Sequence, residues 1–143
     1  MSAASVLFVC VRNSGKSQMA AALMRAATGS RVSVHSAGTD PGSELNALSM
    51  RALGELDIGV GAEHPKPLDP QLLRTVDIVV VLGREAQLDP IEDVRVLCWD
   101  TDEPSHRGID GIERMRLIRD DIAARVRALA TDLGVSNQNS HIS

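Results

Sequence analysis

The sequence predicts an α/β fold: a single three-layer domain on a four-stranded parallel sheet. Strand-length apolar runs stand at residues 5–10 (SVLFVC), 77–82 (DIVVVL) and 94–98 (VRVLC), with an alternating run at 31–36 (RVSVHS). Segments of helical spacing alternate with these runs, the pattern of βαβ units and of a parallel sheet buried on both faces. The 143 residues suit one domain, long enough to bury most of its apolar surface, and show no internal repeat or domain boundary.

Each element has a local reason. Residues 5–10 are continuously apolar, as a buried strand requires. Residues 17–27 are rich in Ala and Met, good helix formers, and end near Gly29. Asp40-Pro41-Gly42 reads as a loop after the second strand. Residues 45–56 carry Leu45, Leu48, Leu53 and Leu56 at helical spacing, with Gly59 and Gly61 beyond them. His64-Pro65-Lys66-Pro67 reads as extended loop, since a residue before proline avoids the helical region. Asp69 and Pro70 suit the N-cap and first position of a short helix ending at Thr75. A long final helix over 111–133 sets Ile112, Met115, Ile118, Ile122, Val126, Leu129 and Leu133 on one face. The domain is expected to span residues 1–133, with the polar residues 134–143 as a flexible tail.

Composition excludes several functions. Hydrophobic content of 43% and charged content of 24% are those of a soluble globular protein. A net charge of −4, one Phe, one Trp and no Tyr leave neither a basic surface nor a stacking platform for nucleic acid. No apolar run approaches the roughly 18 residues of a membrane span. The start lacks the basic region of a signal peptide, and two cysteines are too few for a disulfide scaffold, so a reduced, cytoplasmic protein is expected. His35, His64 and His106 are scattered without zinc spacing.

The chemistry concentrates at the end of the first strand. Cys10 is followed by Val11, Arg12, Asn13, Ser14, Gly15, Lys16 and Ser17, a small-residue loop leading into a helix. Successive backbone N–H groups of such a loop, and the helix start, can converge on an anion. Asn13 and Gly15 tolerate the left-handed backbone that a sharp loop needs. The same positive potential favours a thiolate and makes Cys10 a nucleophile candidate, although a cysteine ending a buried strand can also serve packing alone. This is not a nucleotide-binding Walker loop, because Cys10 stands where that motif places its first glycine.

The Cys10 to Lys16-Ser17 spacing resembles the catalytic loop of the low-molecular-weight protein tyrosine phosphatase superfamily. The Asn13-Ser14 pair followed by Ser17-Gln18-Met19-Ala20 resembles its arsenate reductase branch. His35-Ser36-Ala37-Gly38-Thr39 is similar to the family's second strand and turn, and Trp99-Asp100-Thr101-Asp102-Glu103-Pro104 to its acid loop. The resemblance covers residues 5–130 and implies sheet order 2-1-3-4, with Cys10 on a central strand. Lys16 departs from the family's arginine, offering a point charge in place of a bidentate fork. No cysteine lies between Leu82 and Asp89, where thioredoxin-coupled reductases carry two. What remains resembles a subgroup that works with a small external thiol, mycothiol in actinobacteria, and the Arg- and Ala-rich composition agrees with that source.

The resemblance implies these roles. Cys10 attacks arsenate, and the loop residues Val11 to Ser17 bind it, with Lys16 facing its oxygens. Arg12 points either into the anion site or to solvent. Asn13 fixes the loop by a hydrogen bond to Ser36. Ser17 either donates to the thiolate or caps the helix. Glu103 protonates the departing oxygen, with Asp102 as rival. Cys98, from its place in an apolar run, reads as a strand-core residue, with a resolving role as the lesser alternative. Some relatives bind potassium through an acidic residue of the first helix, where this chain has Ala21, so no bound metal or cofactor is expected. Mycothiol is the expected co-substrate and a redoxin the expected partner acting on the product. A phosphatase of the same family and a non-catalytic oxyanion-binding module remain as alternatives.

Overall fold

In a computed structural model, which describes residues 4–89 and 94–135, strand β1 (Ala4–Cys10) lies inside the sheet with Val6, Leu7, Phe8 and Val9 fully buried. Its neighbours are β2 (Val32–Gly38) on one side and β3 (Ile78–Leu82) on the other, and β4 (Arg95–Trp99) closes the sheet beyond β3. All three pairings are parallel, and the order is β2-β1-β3-β4. This is the α/β architecture and strand order expected.

Alternation along the strands sorts side chains to two faces. Val6 and Phe8 of β1, with Ile78, Val80 and Leu82 of β3, pack beneath helices α1 (Lys16–Thr28) and α4 (Gly111–Asp132). Leu7, Val9, Val79 and Val81 face the other way, where Leu72 and Leu73 of the short helix α3 (Pro70–Thr75) meet them. Asp69 caps α3 as expected, its side chain accepting from the Gln71 N–H. The single Phe and single Trp pack together, Phe8 against Trp99 with ring centroids 5.7 Å apart. The expected face of α4 is buried at Met115, Ile118, Ile122, Val126 and Leu129, with Ile112 and Leu133 half-buried at its ends.

Two expectations need correction. Helix α2 (Ala47–Gly54) is shorter than residues 45–56 and turns a different face inward: Ser49, Ala52 and Leu53 are buried, while Leu48 and Leu56 are exposed. Asn46 caps it, so Leu45 precedes the helix, and the left-handed Asp57 turns the chain away just past Leu56. Cys98 is exposed and not a core residue. It sits on the edge strand, on the face where α3 covers the central strands and not β4. Most of the expected flexible tail lies outside the described residues; Val135, which is described, packs against the core, and its N–H bonds the Ala130 carbonyl. No helix among the described residues is long and apolar enough to cross a membrane.

Candidate active site

The loop after β1 is shaped by what holds its carbonyls. The Thr39, Asp40, Gly42 and Asn46 amides donate to the carbonyls of Cys10, Val11, Arg12 and Ser14, at 2.8 to 3.0 Å. Those carbonyls therefore face outward, and the loop's own N–H groups are left for its concave side. Among the described residues the amides of Val11, Arg12, Ser14, Gly15 and Lys16 have no protein acceptor. Close approach of the segments demands glycine at Gly38, where a Cβ would lie 2.6 Å from the Val11 carbonyl. Asn13 turns the loop with φ of 53°, a conformation asparagine tolerates better than most residues. Helix α1 likewise starts without a side-chain cap, an arrangement able to receive an anion.

Cys10 lies at the floor of this loop, 8% exposed. The Asn13 N–H donates to its sulfur at 3.2 Å, and Ser17 Oγ lies 2.9 Å away. Ser17 Oγ is itself held from behind. Asn13 Oδ1 accepts from the Lys66 N–H at 3.1 Å and from Gln18 Nε2 at 3.2 Å. Its Nδ2 is thereby turned to Ser17 Oγ, to which it donates at 2.7 Å. Ser17 accepts from Asn13 and keeps its hydrogen and a second lone pair for Cys10 Sγ, so either atom can donate in that contact. Asn13 does fix the loop, but through Lys66, Gln18 and Ser17. The implied bond to Ser36 is not made; Ser36 Oγ instead accepts from Lys66 Nζ at 3.3 Å. Gln18 stands in the sequence motif and Lys66 in an extended loop without a role assigned to either, since that role appears only when residues 13 and 66 are brought together.

The charged groups beside the loop have partners of their own. Arg12 turns to solvent and pairs with Asp40 at 2.7 Å. Its side chain is not aimed at the anion site, although its amide belongs to the loop. Glu103 is gripped by Arg114 through both carboxylate oxygens, at 2.7 and 2.8 Å. The Arg114 bonds, with help from Ser105, overcome burial and hold its carboxyl at about 2. Asp102 is forked by Arg107 at 2.8 and 3.1 Å, which keeps its carboxyl below the usual carboxylate range. In this conformation each nominated acid is thus held by an arginine that favours its carboxylate form. Lys16, the first residue of α1, reaches toward this acid loop: its Nζ lies 4.0 Å from Glu103 Oε1. The cleft beside it, about 390 Å³, is walled by Gly83, Arg84, Asp100, Thr101 and Arg107.

Register separates the two cysteines. Val9 pairs with Val81, and Val81 with Cys98. Cys98 is therefore level with Val9, two strands away, or about 10 Å at ordinary strand spacing. It shares Val9's face, whereas Cys10, one residue on, turns to α1. A disulfide needs Cα atoms within about 7 Å and converging Cβ vectors. Cys10 and Cys98 cannot be joined without taking the sheet apart.

Fold and site together define the class: a three-layer α/β protein that presents a cysteine sulfur inside an amide-lined loop. The chain belongs to the low molecular weight phosphotyrosine protein phosphatase family, whose sequence profile matches residues 5–139. A putative arsenate reductase of Halobacterium salinarum is 31% identical over 124 residues, covering 83% of this chain and 85% of that protein. An arsenate reductase of Bacillus licheniformis is 29% identical over 138 residues, covering 91% and 97%. Among solved structures, the thioredoxin-dependent arsenate reductase of Corynebacterium glutamicum superposes with a TM-score of 0.78 at 32% identity. That match covers 92% of this chain, which spans 62% of the Corynebacterium chain.

Proposed function

We propose that this protein is an arsenate reductase in which Cys10 is the nucleophile and a small external thiol, mycothiol, is the co-substrate. The observation that carries the reading is a sulfur held by the Asn13 N–H and Ser17 Oγ inside an amide-lined loop, in a chain whose other cysteine faces the opposite side of the sheet. The arsenate reductase relatives support the substrate. The choice of mycothiol rests on the resemblance of the Lys16-containing loop to that subgroup.

Arsenate, which resembles phosphate in shape and charge, sits against the loop amides with Lys16 facing its oxygens. The Cys10 thiolate attacks arsenic, an S–As bond forms, an As–O bond breaks, and the oxygen leaves as water. With Glu103 and Asp102 held as carboxylates, its proton comes from arsenate's own acid hydroxyls. The mycothiol thiolate then attacks arsenic and regenerates free Cys10. Arsenic stays pentavalent through both steps. Two electrons enter afterwards, when a redoxin dithiol attacks the mycothiol sulfur and arsenite departs.

Incubation with arsenate plus mycothiol, and separately with an aryl phosphate, tests this. A thiol-dependent arseno adduct is the expected product. Release of phosphate alone would make the protein a phosphatase, and neither product would leave an oxyanion-binding module.

A further inference from the structure

The cleft beside Lys16 is built over the ends of two strands and meets the Cys10 loop on one side. Val9 pairs with Val81, so Leu82 is level with Cys10, and Gly83 follows one residue on and one strand, about 5 Å, away. Leu82 pairs with Trp99, and the Gly83 N–H donates to the Trp99 carbonyl at 3.0 Å, which sets Asp100 near Gly83. Gly83 has φ of 86°, and a Cβ there would lie 3.0 Å from Glu85 Oε1 and 3.7 Å from Lys16 Nζ. Glycine thus keeps clear the space between the lysine and the rest of the cleft. The walls are polar and mutually paired. Arg84 holds Asp100, and Arg107 forks Asp102 at 2.8 and 3.1 Å. Both arginine side chains are more than half exposed, so each pair presents donors and acceptors together. Besides His106, three cationic side chains line the cleft against four carboxylates, so it holds no surplus of positive charge. Thr101 is also in its wall, 7% exposed, and Thr101 Oγ1 is buried with no hydrogen-bond partner among the described residues. Such an unpaired buried hydroxyl is uncommon, and nothing in the packing of the fold accounts for it.

We propose that this cleft seats the body of the co-substrate thiol, and that it selects a thiol carried on an uncharged polyol. Each hydroxyl of a polyol both donates and accepts, so it can bridge an Arg–Asp pair without upsetting the charge balance. A thiol with free carboxylates, such as glutathione, meets two guanidiniums already matched and a carboxylate in excess. Mycothiol carries its cysteine through an amide on a neutral sugar–cyclitol body, which is the class the cleft suits. Seated between the Arg84 and Arg107 pairs, a polyol hydroxyl gives Thr101 Oγ1 its missing partner as the exposed walls part. The cysteine arm then extends past Gly83 and Lys16 toward Cys10. Arg84, Thr101 and Arg107 are specificity-determining residues for the thiol, separate from the loop that holds the anion.

This rests on a small external thiol as co-substrate, but the test reads binding alone and needs neither arsenate nor turnover. The probes are S-methylmycothiol and S-methylglutathione, whose capped sulfurs do not react. Each is titrated into the isotope-labelled protein and followed by the NMR shifts of backbone amides. S-methylmycothiol should move the Gly83, Arg84, Asp100 and Thr101 signals saturably, and S-methylglutathione should leave them in place. Arg84→Gln and Thr101→Val should each weaken S-methylmycothiol binding about tenfold, the scale of one lost hydrogen bond. Thr101→Val should not lower the melting temperature, because the hydroxyl it removes has no protein partner, and that separates a ligand contact from a structural one. No shifts, shifts elsewhere, an equal response to both thioethers, or variants that bind as wild type would each overturn the proposal. If S-methylmycothiol fills the cleft while arsenate with mycothiol yields no adduct, the cleft assignment stands and the proposed function falls. An adduct formed without binding in the cleft has the reverse meaning.

Discussion

Arg114 of α4 holds Glu103 by both carboxylate oxygens, so the residue that opens the 3-10 turn Pro104–Arg107 is anchored to the long helix and not free over the anion loop. Glu103 also accepts from the Ser105 N–H as the cap of that turn. A carboxyl held at about 2 against an ordinary 4.5 stabilises the fold fully above pH 5 and loses that contribution as pH falls toward 2. Glu103→Gln should therefore lower the melting temperature at pH 7, and the gap from wild type should close between pH 5 and pH 2. Melting curves across that range check it. Turnover should fall by less than tenfold, whereas a loss of about 10²- to 10⁴-fold would restore Glu103 to the acid role.

Cys10→Ser should abolish adduct formation while leaving the fold intact. The sulfur is 8% exposed, its replacement is smaller, and Ser17 and the Asn13 N–H can serve an oxygen as well. A hydroxyl without an adjacent base is a far weaker nucleophile. Adduct yield and thermal stability, measured on the same preparation, check it; retained turnover would mean that the external thiol attacks arsenate directly.

Cys98→Ser should be silent in both measurements. The side chain is exposed on the edge strand and takes no part in the core. Mild oxidation of the wild type should likewise yield no intramolecular disulfide, as mass spectrometry of the non-reduced protein will report.

Much of this was legible in the sequence, for reasons that are local. The four strands are apolar runs, and the anion loop is written in contiguous residues from Cys10 to Ser17. What escaped depends on distant pairing. Asn13 meets Lys66 across 53 positions, and nothing in either neighbourhood announces the other. Glu103 resembles a loop acid until Arg114, eleven residues on, closes on it. Cys98 ends a run with the composition of a core strand, and only its place at the sheet edge exposes it. The buried face of helix α2 is not legible locally: its leucines mark a helical stripe, whereas contacts with α4 choose the face, Ser49 Oγ donating to Met115 Sδ and Arg119 to the Ala52 carbonyl.

Lys16→Arg should bring aryl phosphatase activity. A guanidinium can fork two oxygens of a tetrahedral anion, where the lysine offers a single charge. Thiol-dependent transfer should stay level or fall, since a tighter cradle resists handing its arseno group on. Kinetics on both substrates decide it. No rise in phosphatase rate would mean that residue 16, 4.0 Å from Glu103, serves the acid loop and not the anion.

The central claim is that Cys10 works alone and is relieved by a small thiol. Arsenate turnover should be followed with two reductant systems: mycothiol with its redoxin, and thioredoxin with its reductase and no small thiol. Multiple turnovers are predicted with the first system and none with the second. Sustained arsenite production from thioredoxin alone, as its Corynebacterium relative is named for, would contradict the account.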